Sequence, residues 1–148
     1  MAHTFVKDVM STNVLSIDSS KTVKEAACMM DDANVGCIII TKDGSPSGIL
    51  TERDFVKRIV SQNKALSTLL SEVMSSPLTV IGPNETVWEA AEVMKQKGIH
   101  KLPVQEDNKV LGIITTTDLV KICSVGSDSS MRDICDQILL RMKDTKSS

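Results

Sequence analysis

The chain alternates between two hydrophobic rhythms. Val23, Ala26, Ala27 and Met30 recur at helical spacing, as do Val87, Ala90, Ala91 and Met94, so each set lines one face of a helix. Thr22 and Thr86 stand just ahead, each with Glu three residues on, the reciprocal arrangement that closes a helix N-terminus. These helices are predicted to run to about Ala33 and Lys97. Short apolar runs of strand length lie around them, at 14–17, 35–41 and 48–50 and again at 78–81, 99–105 and 110–114. Lys42-Asp43-Gly44-Ser45 and Glu106-Asp107-Asn108-Lys109 are turn chemistry and predict a hairpin in each half. A second pair of helices is predicted to open at Asp54 and Asp118 and to end near Ser61 and Ser124.

The order strand, helix, strand, strand, helix therefore occurs twice, and the residues agree as well as the pattern. A shift of 64 positions, from Gly48 to Gly112, lays Val9-Met10-Ser11 on Val73-Met74-Ser75 and Thr22-Val23 on Thr86-Val87. It lays Glu25-Ala26-Ala27 on Glu89-Ala90-Ala91, Met30 on Met94, Asp43 on Asp107 and Gly48-Ile49 on Gly112-Ile113. Thr51 falls on Thr115, Asp54 on Asp118 and Val56-Lys57 on Val120-Lys121, all without a gap. The chain is two copies of one unit, divided as 1–64 and 65–124, followed by a C-terminal part at 125–148. Leu66, Leu69, Leu70 and Val73 predict a short amphipathic helix leading into the second copy. In the C-terminal part a polar linker at 126–130 precedes a predicted helix at 131–142. Ile134, Ile138 and Met142 line one face of it and need a covering surface, either the protein's own body or a dimer partner. A frayed tail follows.

Composition narrows the function. The net charge is −2, with two Phe, one Trp and no Tyr. No basic field recruits nucleic acid or an anionic membrane, and aromatic platforms for stacked bases are scarce. The longest apolar run is far shorter than a membrane span, and the N-terminus lacks signal-peptide chemistry, so a cytoplasmic protein is expected. Cys28, Cys37, Cys123 and Cys135 form no C-x-x-C pair, and His3 and His100 lie far apart. Metal-ligand spacing is absent, and the thiols are expected to be buried and reduced.

The recurring turns carry the chemistry. Gly112-Ile113-Ile114-Thr115-Thr116-Thr117-Asp118 leaves a strand and enters a helix, and Gly48-Ile49-Leu50-Thr51-Glu52-Arg53-Asp54 repeats the design. Thr and Asp cap helix starts, and amides and hydroxyls at such a start also suit a phosphate.

With the Met that opens each unit, the T-V-x-E-A-A helix and the G-I-[IL]-T-x-x-D turn, the sequence resembles a tandem pair of CBS domains, the Bateman module, over about residues 7–124. The resemblance implies an α/β (α+β) fold. Two β-α-β-β-α repeats would pack sheet to sheet with pseudo-two-fold symmetry, plus a C-terminal helix here. It also implies two equivalent clefts binding adenosine ligands, with the aspartate accepting hydrogen bonds from ribose hydroxyls.

Carried over residue by residue, the Asp118 site comprises His100, Lys101, Thr115, Thr117 and Asp118, with Lys21, Ala26, Val35 and Gly36 from the first repeat. The Asp54 site comprises Gly36, Cys37, Thr51, Arg53 and Asp54, with Glu85, Ala90, Ile99 and His100 from the second. Lys101 is replaced by Cys37, Thr117 by Arg53 and Lys21 by Glu85 at equivalent positions. A charge-assisted phosphate contact contributes roughly 1.5–3 kcal/mol. Losing one or two means an about ten- to thousand-fold weaker site, so Asp118 is expected to mark the stronger one.

The resemblance implies a regulatory module that binds AMP, ADP or ATP and signals to an unnamed regulated protein, commonly as a homodimer. An S-adenosylmethionine or dinucleotide sensor and a ligand-free dimerisation scaffold stay open. An enzyme is disfavoured, because the turns offer no nucleophile–base–orienter set and no phosphate-binding loop G-x-x-x-x-G-K-[ST]; no catalytic cofactor, metal, membrane or nucleic-acid partner is expected.

Overall fold

The computed structural model describes residues 4–125 and Asp136; the linker and apolar-striped helix expected at 126–142 otherwise lie outside the described residues. In chain order the elements are α1 (Val6–Val9), β1 (Ser16–Asp18), α2 (Val23–Ala33), β2 (Cys37–Lys42), β3 (Ser45–Thr51) and α3 (Glu52–Asp54). The last continues as a π-helical turn, Phe55–Val60. Then come α4 (Leu70–Val73), α5 (Val87–Lys97), β4 (Lys101–Glu106), β5 (Lys109–Thr115) and α6 (Thr116–Val125).

The chain gathers into two compact units that do not simply follow the repeat. One holds residues 13–79 and 107–109, the other 4–12, 80–106 and 110–125. In the first, β1 runs parallel to β2, with Ile17 opposite Ile40, and β2 pairs antiparallel with β3. Ile38, Ile40, Leu50, Val23, Ala26 and Met30 form its core, joined by Leu70 and Val73 of α4. In the second unit β4 and β5 form a hairpin. Leu102, Val104, Ile114, Val87, Ala90, Ala91 and Met94 make its core, joined by Val6 of α1. Each core is thus completed by the short helix that precedes the other repeat in sequence.

That completion explains the Met-Ser and Gly-Ile pairs. Ser11 and Ile113 exchange backbone hydrogen bonds of 2.9 Å in both directions, and Ser75 and Ile49 do the same at 3.0 and 3.1 Å. The adjoining glycines allow the approach, since a Cβ on Gly48 would lie 2.8 Å from the Ser75 carbonyl oxygen.

Both long helices end where the spacing predicts, at Ala33 and Lys97, each closed by a left-handed residue, Asn34 or Gly98, as helix C-termini favour. Thr22 and Glu25 form the full reciprocal cap. At Thr86 only the arm from the Glu89 amide is recorded among the described residues. Both hairpin turns place two residues at positive φ, Asp43 with Gly44 and Asp107 with Asn108, the geometry of tight two-residue connections.

Four expectations are corrected. The run at 78–81 is not a strand among the described residues; it is reduced to one parallel bridge from Ile81 to Val104. The junction helix spans only Leu70–Val73, with Leu66 and Leu69 exposed. The helices expected to open at Asp54 and Asp118 begin two residues earlier. Cys28 is exposed and Cys37 half-buried rather than both being core thiols.

Candidate functional site

Each G-I-x-T turn is built the same way. β3 delivers Thr51 in extended conformation, φ −115° and ψ 166°. Its amide and hydroxyl donate to Asp54 Oδ2 at 2.9 and 3.2 Å, and its Oγ1 accepts from the Asp54 amide at 3.4 Å. β5 delivers Thr115 into the same relation with Asp118, at 2.9, 3.1 and 3.3 Å. The threonine is therefore the cap and the aspartate its partner three residues on, with the shorter Asp where the capping box usually has Glu or Gln. A backbone carbonyl takes the first amide of each helix: Gly36 accepts from Glu52 at 3.1 Å and His100 from Thr116 at 3.0 Å.

The two carboxylates differ in their second oxygen. Asp54 Oδ1 lies 3.4 Å from Arg58 Nε. Asp118 Oδ1 has no hydrogen-bond partner or ion pair among the described residues. A carboxylate oxygen with open lone pairs is an acceptor for two hydroxyl donors.

The 13–79 unit places Thr51, Asp54 and Cys37 together, since Cys37 pairs with Thr51 across β2 and β3. Arg53 projects from the first turn and is exposed, as is Lys21 beyond β1. Val35 and Gly36 line a cavity of about 370 Å³ with Ala27, Met30, Glu52 and Phe55, and Asp31 and Asn34 complete its wall. The other unit gathers half-buried His100 and Lys101 at the start of β4 beside half-buried Thr115 and Asp118 and exposed Thr117. Ile99 precedes them, half-buried, and Glu85 is exposed ahead of α5.

Ala26 and Ala90 are wholly buried in the cores of their own units, because the helical stripe that includes Val23 and Met30 faces the sheet. Ala27, one position on, borders the cavity together with Met30 and Asp31 of the same helix. Sequence reasoning also missed Arg58, although an acid followed four residues later by a base on a helix is a readable signal.

Among the described residues no helix is long and apolar enough to cross a membrane, and no three His, Cys, Asp or Glu side chains cluster as metal ligands.

A helix, a two-stranded hairpin and a second helix occur in each copy, with a capped carboxylate turn in both. The model of the CBS domain matches residues 6–61 and again 70–125, and the chain belongs to that family. It is 34% identical over 134 residues to the CBS domain-containing protein YhcV of Bacillus subtilis, spanning 89% of this chain and 96% of that one. Its fold is similar to that of TA0289, a CBS domain protein from Thermoplasma acidophilum, with a TM-score of 0.81, 26% identity and coverage of 96% of this chain and 78% of that one. It is similar as well to the CBS domain pair of protein MJ0100, solved in complex with 5′-methylthioadenosine and S-adenosyl-L-methionine, with a TM-score of 0.76, 28% identity and coverage of 84% and 98%.

Proposed function

We propose that this chain is a cytoplasmic, homodimeric sensor of adenosine-containing metabolites that regulates another protein and is not itself a catalyst. Adenine nucleotides, AMP, ADP or ATP, are its first-choice ligands. The observation that carries the reading is the Asp118 carboxylate. Thr115 fixes one oxygen in place from two donors, which turns the other toward acceptor duty for the two hydroxyls of a ribose. Lys101, half-buried at the start of β4, supplies a cation for a phosphate, and Thr117 on the exposed first turn supplies a hydroxyl. The exposed apolar Met29, Val56 and Val60, the last 73% exposed, support a second copy as dimer partner.

A second reading is favoured by the MJ0100 pair, whose complex holds 5′-methylthioadenosine and S-adenosyl-L-methionine. These share the ribose diol with AMP and lack its phosphate, so the same carboxylate would serve them while Lys101 would not contribute. Isothermal titration of the purified chain with AMP, ATP, S-adenosylmethionine and 5′-methylthioadenosine separates the two. AMP or ATP is expected to bind most tightly, and Asp118→Ala to weaken it by about ten- to a hundred-fold. Binding of none of the four at millimolar concentration would reject the sensor. Native mass spectrometry of the same sample reads the oligomeric state.

A further inference from the structure

We propose that Arg58 is a specificity-determining residue that closes the Asp54 carboxylate to a sugar, so that two repeats of nearly one design bind ligand unequally. The inference rests on the adenosine-sensor reading above and deepens it.

Asp54 has no idle oxygen. Oδ2 accepts from the Thr51 amide and hydroxyl, and Oδ1 faces Arg58 Nε at 3.4 Å. The guanidinium is held at its far end too, where Nη1 donates to the Met74 carbonyl oxygen at 3.2 Å and reaches that of Val73 at 3.5 Å. Those carbonyls lie at the end of α4, next to Ser75, which is bonded in both directions to Ile49. The clamp therefore spans from the carboxylate to a fixed piece of backbone.

The other repeat lacks it. Val56-Lys57 and Val120-Lys121 agree, and the very next position changes from Arg58 to Ile122. Ile122 packs against the apolar core of its unit and brings no charge to Asp118. A ribose diol that needs Asp54 must first displace a charged donor already seated there, whereas at Asp118 it meets an oxygen that no described residue holds. Arg58 is 49% exposed, so solvent screens the pair and the clamp is a handicap rather than a block. One charge-assisted hydrogen bond corresponds to about ten-fold in affinity.

The test titrates AMP and 2′,3′-dideoxy-AMP into the wild-type chain and Arg58→Met, each also carrying Asp118→Ala so that the Asp54 site is read alone. Arg58→Met is expected to tighten AMP by about ten-fold at that site and to leave dideoxy-AMP unchanged, because only the diol competes for Oδ1. Arg58→Lys, which keeps a cation, is expected to stay at the wild-type level. If Arg58→Met fails to melt cooperatively, Arg58→Gln replaces it, retaining a donor for the Met74 carbonyl while removing the charge; the same gain is expected. Unchanged or weaker AMP binding, or an equal gain for dideoxy-AMP, overturns the clamp. If the wild-type chain with Asp118 intact binds AMP while Arg58→Met adds nothing, the clamp alone falls. If AMP binds to neither the wild-type chain nor Arg58→Met, the nucleotide reading falls with it.

Discussion

The carbonyl oxygen of Ser11 lies where a side chain on Gly112 would have to be: a Cβ built there stands 2.7 Å from it. The oxygen cannot swing away, because Ser11 and Ile113 are bonded to each other in both directions. Gly48 faces Ser75 in the same way at 2.8 Å. Gly48→Ala and Gly112→Ala are expected to destabilise the fold by about 1–3 kcal/mol each through overpacking. Gly82→Ala, whose Cβ would meet nothing nearer than Glu85 Cγ at 3.7 Å, is the control and should change stability by less than about 0.5 kcal/mol. Urea melts of the three variants read the difference.

Thr115 has two duties that one substitution separates from ligand contact. It caps α6 and it orients Asp118. Thr115→Ala is expected to lower stability by about 1 kcal/mol without any ligand and to weaken AMP as well, since the carboxylate loses the hydroxyl donor and is left with the backbone amide alone. Thr22→Ala, an equivalent cap on α2, should lower stability by a similar amount and leave AMP binding unchanged. Thermal unfolding and calorimetric titration of both variants check the split.

Acid should loosen the fold in a definite window. The Ser20 hydroxyl and amide hold Asp18 below its ordinary value of 3.8, and the Thr22 amide holds Glu25 below 4.5. Both folded values lie below the unfolded ones, so each group's contribution is complete above about pH 4.5 and is lost as pH falls through the lower folded values. Melting temperatures at pH 7, 5, 4 and 3 are expected to hold steady and then drop. Asp18→Asn with Glu25→Gln should make that drop shallower.

Ala26 and Ala27 are neighbours with opposite tolerance. Ala26 is wholly enclosed by the core, and Ala27 borders the 370 Å³ cavity. Ala26→Leu is expected to cost about 1–3 kcal/mol, and Ala27→Leu much less, because it grows into open space. Denaturant midpoints measured at constant slope read this directly.

Much of the architecture was legible because it is local. The Val23, Ala26, Met30 spacing fixes a helical face and Thr22 its start, so α2 and α5 end where the pattern places them. Paired turn residues such as Asp43-Gly44 can adopt only a few tight geometries, so the hairpins were readable too. The 78–81 run was misread because apolar content alone does not make a strand. Whether Ile81 bonds to more than one neighbour depends on how far the backbone tracks β4. The Asp54 and Asp118 turns were located correctly as motifs, but their capping residue is the threonine, a distinction that lies in φ and ψ at one position.

The sequence by itself determined the doubling, the two long helices, the two hairpins and the two carboxylate turns, because repetition, periodicity and capping are read over spans of a few residues. Only the tertiary structure decided which short helix completes which core, since α1 and α4 are too short to have a preference of their own and follow the apolar surface left open to them. It also decided that Ala26 is interior and that Arg58 reaches both Asp54 and the Met74 carbonyl. Contacts between residues 16 positions apart depend on where the backbone brings them, and no spacing rule along the chain reaches that far.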